Sequence, residues 1–415
     1  MRVLFATQAE TTHFLGMVPL AWALRAAGHE VQVASQPRLM DVVAGAGLTG
    51  VPVGRDHDFW RVMRARVGFD PLADRVPPFD REPELLTWEY VRDGHRGLVP
   101  WWWRSVNDPM TGDLVAYCRA WRPDLVVWEP TTFAGAIAAQ AVGAAHARFL
   151  WGVDVIGRMR GHYLRLMAER PPGEREDVLA DWLGAQAARY GGRFSEELAL
   201  GERTVDHMPP SLRLTGVPGP EPVPLRFVPY NGRAVVPAWL REPARRPRVC
   251  VCLGTSSAEQ TGKYVLPVDD VLAALAGLDA EVVAAVPGGL PPRSVPPNAR
   301  VAGFVPLHAL LPTCSVMIGH GGAGTSMTAL AYGVPQLVVP RPTFDEPVLA
   351  ARMAERGAAL VLPEAEATPD ALRDRVVRLL DDPGPRSAAA GLRGEILAMP
   401  HPREALANIL ASLVH

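Results

Sequence analysis

The sequence lacks the features that mark membrane proteins and nucleic-acid-binding proteins. Its formal charge is only −2 over 415 residues. Such a chain exerts no long-range attraction on a polyanion, so we expect neither nucleic acid nor a membrane surface as a partner. No apolar run approaches the roughly 20 residues of a membrane span. The chain also begins directly with a predicted strand, which is not the pattern of a signal peptide. We therefore expect a cytoplasmic protein.

Lysine and cysteine are both scarce. Lys263 is the only lysine, and its neighbours lack the spacing of a P-loop, which argues against an ordinary P-loop nucleotidase. The cysteines have no metal-ligand spacing and are interpreted as small core residues in a reducing compartment; they are Cys118, Cys250, Cys252 and Cys314. The hydrophobic fraction of 48% suffices for two cores. We predict a first domain at 1–225, a proline-rich linker at 226–247 and a second domain at 248–415.

Strands and helices alternate in both halves of the chain, which is typical of parallel α/β sheets. The stretch from Val316 to Glu346 shows this best, because a strand, a glycine-rich turn, a helix and a second strand follow one another directly. Gly321, Gly322 and Gly324 allow the backbone to approach a ligand closely, and the free N–H groups of the helix start form an anion site. The sequence therefore predicts a phosphate-binding βαβ unit in the second domain.

Two candidate catalytic residues follow predicted strands of the first domain. His13 lies in the predicted loop after the strand at 2–6, and Glu129 follows the strand at 124–128. The carboxyl ends of strands in a doubly wound sheet face the ligand crevice, so we expect both side chains on the same crevice. Two alternatives stay open at this point: a structural histidine at a helix start, and an exposed loop carboxylate.

A dinucleotide-binding fingerprint is also present. Gly319, Gly321 and Gly324 fit G-x-G-x-x-G, and Asp345 lies near the distance at which such folds place a ribose-binding acid. This pattern would indicate an NAD-dependent oxidoreductase. Against it, a histidine interrupts the turn, the motif lies in the second domain, and the first domain has no recognisable residues for hydride transfer.

The motifs resemble a known family, the GT-B glycosyltransferases of family 1. The nucleotide-sugar signature of that family is similar to the run from His320 to Thr325, followed by Gly333 to Gln336 and by Pro340 ahead of Asp345. Similarity to the macrolide and anthracycline deoxysugar transferases of actinomycetes, which include the desosaminyltransferases, extends to 13–23, 128–130, 228–232, 249–254 and 303–312. The resemblance implies an α/β GT-B fold, in which two Rossmann-like doubly wound domains face a cleft. The first would bind the acceptor and the second the nucleotide sugar, with the last helix crossing back to the first.

The resemblance also implies roles for particular residues. His13 would take the acceptor proton and Glu129 would orient it, although many relatives carry Asp there. The implied donor-binding residues are Thr255, Ser256, Phe304, Val305, His320, Gly322, Gly324, Thr325, Thr328, Asp345 and Glu346. Relatives that use UDP-sugars carry Glu at the position of Thr328, which favours a TDP donor here. At the position of Glu346, relatives often carry a glutamine that binds hexose hydroxyls. No metal ion is implied, and no cofactor beyond the TDP-sugar co-substrate.

The implied activity is the inverting transfer of a deoxysugar from a TDP-sugar to a hydroxyl of a macrolide or aromatic polyketide aglycone in antibiotic biosynthesis. A non-catalytic sugar-nucleotide-binding or partner module of the same fold is the alternative from another class. The resemblance further suggests an auxiliary activator protein, similar to a cytochrome P-450 without its haem ligand, with the amphipathic segment 158–206 as a docking surface. A homodimer is also considered. Residues 55–115 fit no single period and are interpreted as core or pocket wall.

Overall fold

Two parallel sheets organise the computed structural model, which describes residues 1–57, 59–68, 74, 76, 79, 82–255, 263–286 and 292–413. The strands of the first sheet are β1 (Arg2–Ala6), β2 (Glu30–Ser35), β3 (Thr49–Pro52), β4 (Leu125–Trp128), β5 (Ala145–Phe149), β6 (Arg203–Asp206) and β7 (Val223–Pro224). Their order across the sheet is β3-β2-β1-β4-β5-β6-β7, and neighbouring strands are parallel. The order reverses between β1 and β4, as in a doubly wound fold.

Helices cover both faces of the first sheet. They are α1 (Thr11–Leu15), α2 (Val18–Ala26), α3 (Met40–Gly45), α4 (Phe59–Val67), α5 (Trp88–Leu98), α6 (Arg104–Trp121), α7 (Ala134–Val142), α8 (Val155–Ala168), α9 (Val178–Ala188) and α10 (Glu197–Leu200). Side chains of β1 alternate between the two faces: Leu4 and Ala6 join the apolar cluster of α6 and α7, while Val3 and Phe5 join that of α2. Burial on both faces explains why these strands are continuous apolar runs.

The second sheet repeats this arrangement. Its strands are β8 (Arg248–Cys252), β9 (Glu281–Ala285), β10 (Ala299–Ala302), β11 (Val316–Gly319), β12 (Gln336–Val338) and β13 (Ala359–Val361), in the parallel order β10-β9-β8-β11-β12-β13. The helices that follow are α11 (Val268–Ala274), α12 (Leu307–Leu310), α13 (Ala323–Ala331), α14 (Glu346–Glu355), α15 (Pro369–Asp381), α16 (Pro383–Ala398) and α17 (Pro402–Leu413). None of the helices among the described residues has the length and apolar composition needed to cross a membrane.

The two domains touch through polar and apolar contacts. The guanidinium of Arg352 on α14 donates to the carbonyls of Ser211 (3.1 Å) and Arg213 (2.8 Å) in the first domain. Helix α17 returns to the first domain, where Ala405 and Ile409 are buried in the apolar cluster of α2. The last helix, α17, therefore completes the core of the first domain.

Residues 88–121 are helical, although the sequence shows no clear period there. Helix α5 continues through a π-helical turn at Val99–Trp103 into α6, and Pro109 lies inside α6. A π turn shifts the phase of the helix, so apolar residues on the two sides of it do not share one 3.6-residue repeat. Trp102 and Trp103 are buried, which agrees with the interpretation of this region as core, whereas Trp101 is exposed.

The amphipathic segment 158–206 buries its apolar side chains inside its own domain. Met159 and Tyr163 of α8 pack with Trp88 and Val91 of α5, and Trp182 of α9 lies in the large apolar cluster of the first sheet. The apolar faces that suggested a docking surface are therefore already occupied.

Ile409→Ala is expected to lower the free energy of unfolding by about 2 to 5 kcal/mol, because the buried side chain leaves a cavity under α17. Urea and thermal unfolding of the purified protein measure this change. The control is Leu397→Ala on α16, whose side chain is 49% exposed and whose loss should cost about 0.5 kcal/mol or less. Equal losses for the two variants would contradict the packing of α17 on the first domain.

Candidate active site

A pocket of about 660 Å³ lies between the two sheets. Residues that follow β1 and β4 bound it on one side, and residues that follow β8 and β11 bound it on the other. These are the strand pairs at which the order of each sheet reverses, the position where doubly wound folds bind ligands. One group of polar side chains surrounds His13 and a second group surrounds His320.

His13 lies on α1, a single helical turn inside the region predicted as a loop. One turn is too short to show a helical repeat in the sequence, which is why this prediction was wrong. Strands β1 and β4 pair so that Ala6 lies beside Trp128, and this register brings the segments that follow them to one edge. Nδ1 of His13 lies 3.3 Å from Oε2 of Glu129. Nε2 is then the ring nitrogen left for a ligand in the pocket.

Glu129 is completely buried, and its carboxylate is held by several donors. Oε2 accepts from the backbone N–H of Thr131 at 3.0 Å and from the indole Nε1 of Trp151 at 3.1 Å. The hydroxyl of Thr131 lies 2.9 Å from both oxygens, and the hydroxyl of Thr132 donates to Oε1. Glu129 is therefore not an exposed loop carboxylate, because burial with this many donors is typical of a carboxylate fixed in one orientation.

Burial and charge act on this pair in opposite directions. Burial opposes protonation of His13, but the negative charge of Glu129 and the hydrogen bond to it prevail and raise the pKa of the imidazole. For Glu129, burial opposes ionisation, but the His13 charge and the surrounding donors prevail and lower the pKa of the carboxyl. The pair therefore favours an imidazolium beside a carboxylate, the state that a base reaches after it accepts a proton.

Trp151 and Gln8 also contact His13, and neither was singled out from the sequence. The indole of Trp151 stacks on the imidazole with ring centroids 5.0 Å apart and an interplanar angle of 21°. Nε2 of Gln8 lies 3.4 Å from Nδ1 of His13 and donates to the hydroxyl of Thr131 at 3.2 Å. Both residues follow strands of the first sheet, so their position at strand ends was the only indication that the sequence offered.

His320 occupies the tight turn between β11 and α13, and it is buried. Two glycines make room for its ring: a β-carbon would lie 2.5 Å from Cε1 at Gly254 and 2.4 Å from Nε2 at Gly322. Gly254 follows β8, which pairs with β11. Burial lowers the pKa of His320 to about 4, so its ring is neutral at physiological pH.

The start of α13 faces the same part of the pocket. The helix begins at Ala323, and Gly324 and Thr325 line the pocket within its first turn. The unpaired N–H groups and the dipole of a helix start favour an anion. Thr255, after β8, also lines the pocket. Ser256, the other candidate on this loop, lies outside the described residues.

Thr328 is fully buried on α13 and lines the pocket. Its hydroxyl donates to the carbonyl of Gly324 at 2.6 Å and accepts from Nδ2 of Asn231 at 3.4 Å. Oδ1 of Asn231 accepts from the backbone N–H of His308 at 3.0 Å. Asn231 thus ties the segment between the domains to α12 and α13, a contact between distant parts of the chain that the sequence does not reveal.

Phe304 and Val305 lie between β10 and α12 at the edge of the pocket. The side chain of Val305 is buried, whereas Phe304 is 49% exposed. An aromatic ring that is exposed beside a pocket has a face available for stacking on a ligand.

Asp345 and Glu346 lie at the start of α14, and both are buried. Glu346 forms an ion pair with Arg341, whose Nε lies 3.0 Å from each carboxylate oxygen. Arg341 was missed in the sequence, since nothing in its spacing shows that the chain folds back on Glu346. Burial and the charge of Glu346 raise the pKa of Asp345 to about 7. Because Arg341 neutralises Glu346, Asp345 is the carboxyl of the two that is left for a ligand.

Comparison with known proteins gives matches over both domains. The family models described as erythromycin biosynthesis protein CIII-like, N-terminal domain and C-terminal domain match residues 22–254 and 269–413. The 10-deoxymethynolide desosaminyltransferase of Streptomyces venezuelae is 50% identical over 97% of this chain and 95% of its own length. The 3-alpha-mycarosylerythronolide B desosaminyl transferase of Saccharopolyspora erythraea is 44% identical over 97% of this chain and 96% of its own.

The solved structures agree with the sequence matches. The crystal structure of glycosyltransferase VinC in complex with dTDP has a TM-score of 0.89 and 41% identity, with 100% of both chains covered. The predicted GT-B fold and glycosyltransferase class are confirmed, and both alternatives, an NAD-dependent oxidoreductase and a non-catalytic module, are set aside. With both domains matched and the fold shared with a dTDP-bound transferase, the chain belongs to the erythromycin biosynthesis protein CIII-like family and is a GT-B glycosyltransferase.

Proposed function

We propose that this enzyme transfers a deoxysugar from a TDP-sugar to a hydroxyl of a polyketide aglycone in antibiotic biosynthesis. One observation carries the proposal: His13, which is paired with Glu129, and the helix start beside His320 face the same pocket from different domains. The names of the relatives support it, because one transfers desosamine to 10-deoxymethynolide and a solved neighbour holds dTDP.

His13 is the general base in this proposal. Glu129 holds Nδ1, so Nε2 accepts the proton of the acceptor hydroxyl while the hydroxyl oxygen attacks the anomeric carbon of the donor. The bond between that carbon and the diphosphate oxygen breaks in the same step, and the configuration at the anomeric carbon inverts. Glu129 orients the ring and stabilises the imidazolium, as the acidic member of a catalytic triad does.

The start of α13 binds the diphosphate. Backbone N–H groups at Gly324 and Thr325, together with the helix dipole, stabilise the negative charge that develops on the leaving group. Gly322 keeps the turn narrow enough for the neutral ring of His320 to lie beside this site. Thr255 supplies a further hydroxyl from the segment that follows β8.

The nucleoside and the sugar occupy the two remaining parts of the pocket. The thymine base stacks on the exposed ring of Phe304 and pairs with the backbone of Val305, while the deoxyribose lies beside Thr328. The sugar lies between the diphosphate and His13, where Asp345 is available to it. Glu346 supports this site through its ion pair with Arg341.

His13→Ala is expected to lower kcat about 10²-fold to 10⁴-fold, because no other group takes the acceptor proton. The affinity for TDP, measured by calorimetry, should stay within about twofold of the wild type, since the ring faces the acceptor side. TDP-desosamine and 10-deoxymethynolide are the first substrates to use. His29→Ala, at a histidine outside the pocket lining, is the control. A near-normal kcat for His13→Ala would show that another group is the base.

The rate is expected to rise with pH as His13 loses its proton, and the midpoint should lie above the ordinary histidine value because Glu129 raises the pKa of His13. Glu129→Gln removes the negative charge that stabilises the imidazolium, so the midpoint should move to lower pH. The maximal rate should also fall, because the new amide must face the donors of Thr131 and Trp151. Profiles of kcat/KM against pH measure both effects. If the midpoint of the pH profile is the same in Glu129→Gln as in the wild type, Glu129 does not control the pKa of His13.

TDP is expected to bind about tenfold more tightly than UDP, a difference of about 1.4 kcal/mol. Buried Thr328 offers no carboxylate to the ribose diol, so the 2′-hydroxyl of UDP would lose hydrogen bonds on entering the pocket. Thr328→Glu should narrow the difference, and Thr328→Gln is a control of similar size without charge. Titration with dUDP and with 5-methyluridine diphosphate separates the hydroxyl from the methyl group. Equal affinities for the ribose and deoxyribose forms of the nucleotide would show that Thr328 does not select against the 2′-hydroxyl.

The auxiliary activator protein, the homodimer and the cytoplasmic location are further parts of the proposal. A partner on segment 158–206 would meet its charged outer face, where Arg165 and Glu169 form an exposed ion pair. Dependence on the activator predicts low activity of the purified chain, and full activity would contradict it.

For the homodimer, light scattering measures the molar mass of the purified protein in solution. The four free cysteines suit a reducing compartment.

A further inference from the structure

Trp151 contacts both members of the proposed catalytic pair. It follows β5, at the same edge of the sheet as Glu129, and is partly buried. Its ring stacks on the imidazole of His13, and its indole N–H donates to Oε2 of Glu129. A single side chain therefore determines both the plane of the imidazole and the surroundings of the carboxylate.

The oxygen that accepts from Trp151 is also the oxygen that faces His13. Oε2 of Glu129 lies 3.1 Å from the indole Nε1 and 3.3 Å from Nδ1 of His13. A donor on a carboxylate oxygen draws negative charge toward itself, which weakens the attraction of that oxygen for an imidazolium proton. The position of the carboxylate does not depend on Trp151, because Thr131 and Thr132 also hold it. The electronic effect of the indole N–H is therefore separable from its steric effect.

Other acidic side chains around His13 also favour its protonated form, so the withdrawal of charge from Glu129 by the indole N–H matters for the state of the base. Besides Glu129, Glu10 before α1 and Asp345 before α14 favour the protonated imidazole. Glu10 already accepts from the indole of Trp60 at 3.0 Å and lies 3.5 Å from Nη2 of Arg38. A base beside several acidic side chains tends to hold a proton before the acceptor arrives, and a protonated base cannot act.

The loop that carries Trp151 is also fixed against the second domain. At Gly152 a β-carbon would lie 2.0 Å from Oδ2 of Asp345, so a larger residue would push the two apart. The backbone next to Trp151 is thus packed closely against Asp345 at the start of α14, which leaves the loop that carries the indole little room to move.

We propose that Trp151 is a positioning residue that limits how strongly His13 holds a proton before the acceptor arrives: the indole N–H withdraws charge from Glu129, and the ring face holds the imidazole plane. This inference rests on the proposed function, in which His13 is the base.

Two variants separate the contributions of Trp151. Trp151→Phe loses the N–H and keeps an aromatic face, so the titration midpoint of His13 should move to higher pH. With TDP-desosamine and 10-deoxymethynolide, kcat/KM should fall about threefold to tenfold below that midpoint and return to within about twofold of the wild type at alkaline pH. Trp151→Leu loses the ring as well. Its midpoint should lie below that of the Phe variant, and its kcat should stay low at every pH.

Carbon-13 labels at Cε1 of histidine allow NMR to follow the imidazoles of the full-length protein against pH, with the His13 signal assigned from its absence in His13→Ala. Trp182→Phe is the matched control, because Nε1 of Trp182 donates to Oδ1 of Asp108 at 2.9 Å, outside the pocket lining. That variant loses the same kind of bond and should leave the His13 midpoint unchanged.

An unchanged His13 midpoint in Trp151→Phe would overturn the inference. A higher KM with an unchanged pH profile would also overturn it, since that result describes a pocket wall. The proposed function fails separately, if the wild type transfers no sugar from a panel of TDP-sugars to any aglycone. The NMR titration would still decide the role of Trp151 in that case, because it needs no substrate.

Discussion

Parallel pairing at two places, β1 with β4 and β8 with β11, is the constraint on which the pocket depends. At each place the strand order reverses, so the loops that follow the paired strands diverge and leave a crevice. The first pairing brings His13 to Glu129, and the second brings His320 to Gly254. Because both crevices open toward each other, two separate sheets line one pocket.

Burial and nearby charge shift the pKa values of the two histidines in opposite directions. The carboxylate of Glu346 lies 3.9 Å from Nε2 of His320, but Arg341 already neutralises it, so burial prevails and the ring of His320 stays neutral. His13 faces an ionised carboxylate at 3.3 Å, so charge prevails over burial. The same side chain therefore suits an anion-binding turn in one domain and proton transfer in the other, and the difference lies in its partners.

Much of this arrangement could be predicted from the sequence, and the remainder has physical reasons for being hidden. Apolar strands, glycine turns and the residues after them are local features. For this reason the sequence predicts β1, β4 and β11 together with His13, Glu129 and His320, which follow them. The helices α5 and α6 could not be predicted from the sequence, because a π turn and Pro109 disturb the helical repeat. Trp151, Asn231 and Arg341 gain their roles from contacts between segments that are folded together, and spacing along one chain carries no record of such contacts.

The return of the chain to the first domain has a mechanical consequence. Both passages between the domains lie side by side, because the backbone N–H of Arg226 donates to the carbonyl of Pro400 at 2.8 Å and its Nε to the carbonyl of Met399 at 3.0 Å. Two crossings joined in this way connect the domains at one place, so neither crossing can shift without the other. The spacing between the two halves of the pocket therefore depends on both crossings together, although neither crossing contributes a strand to either sheet.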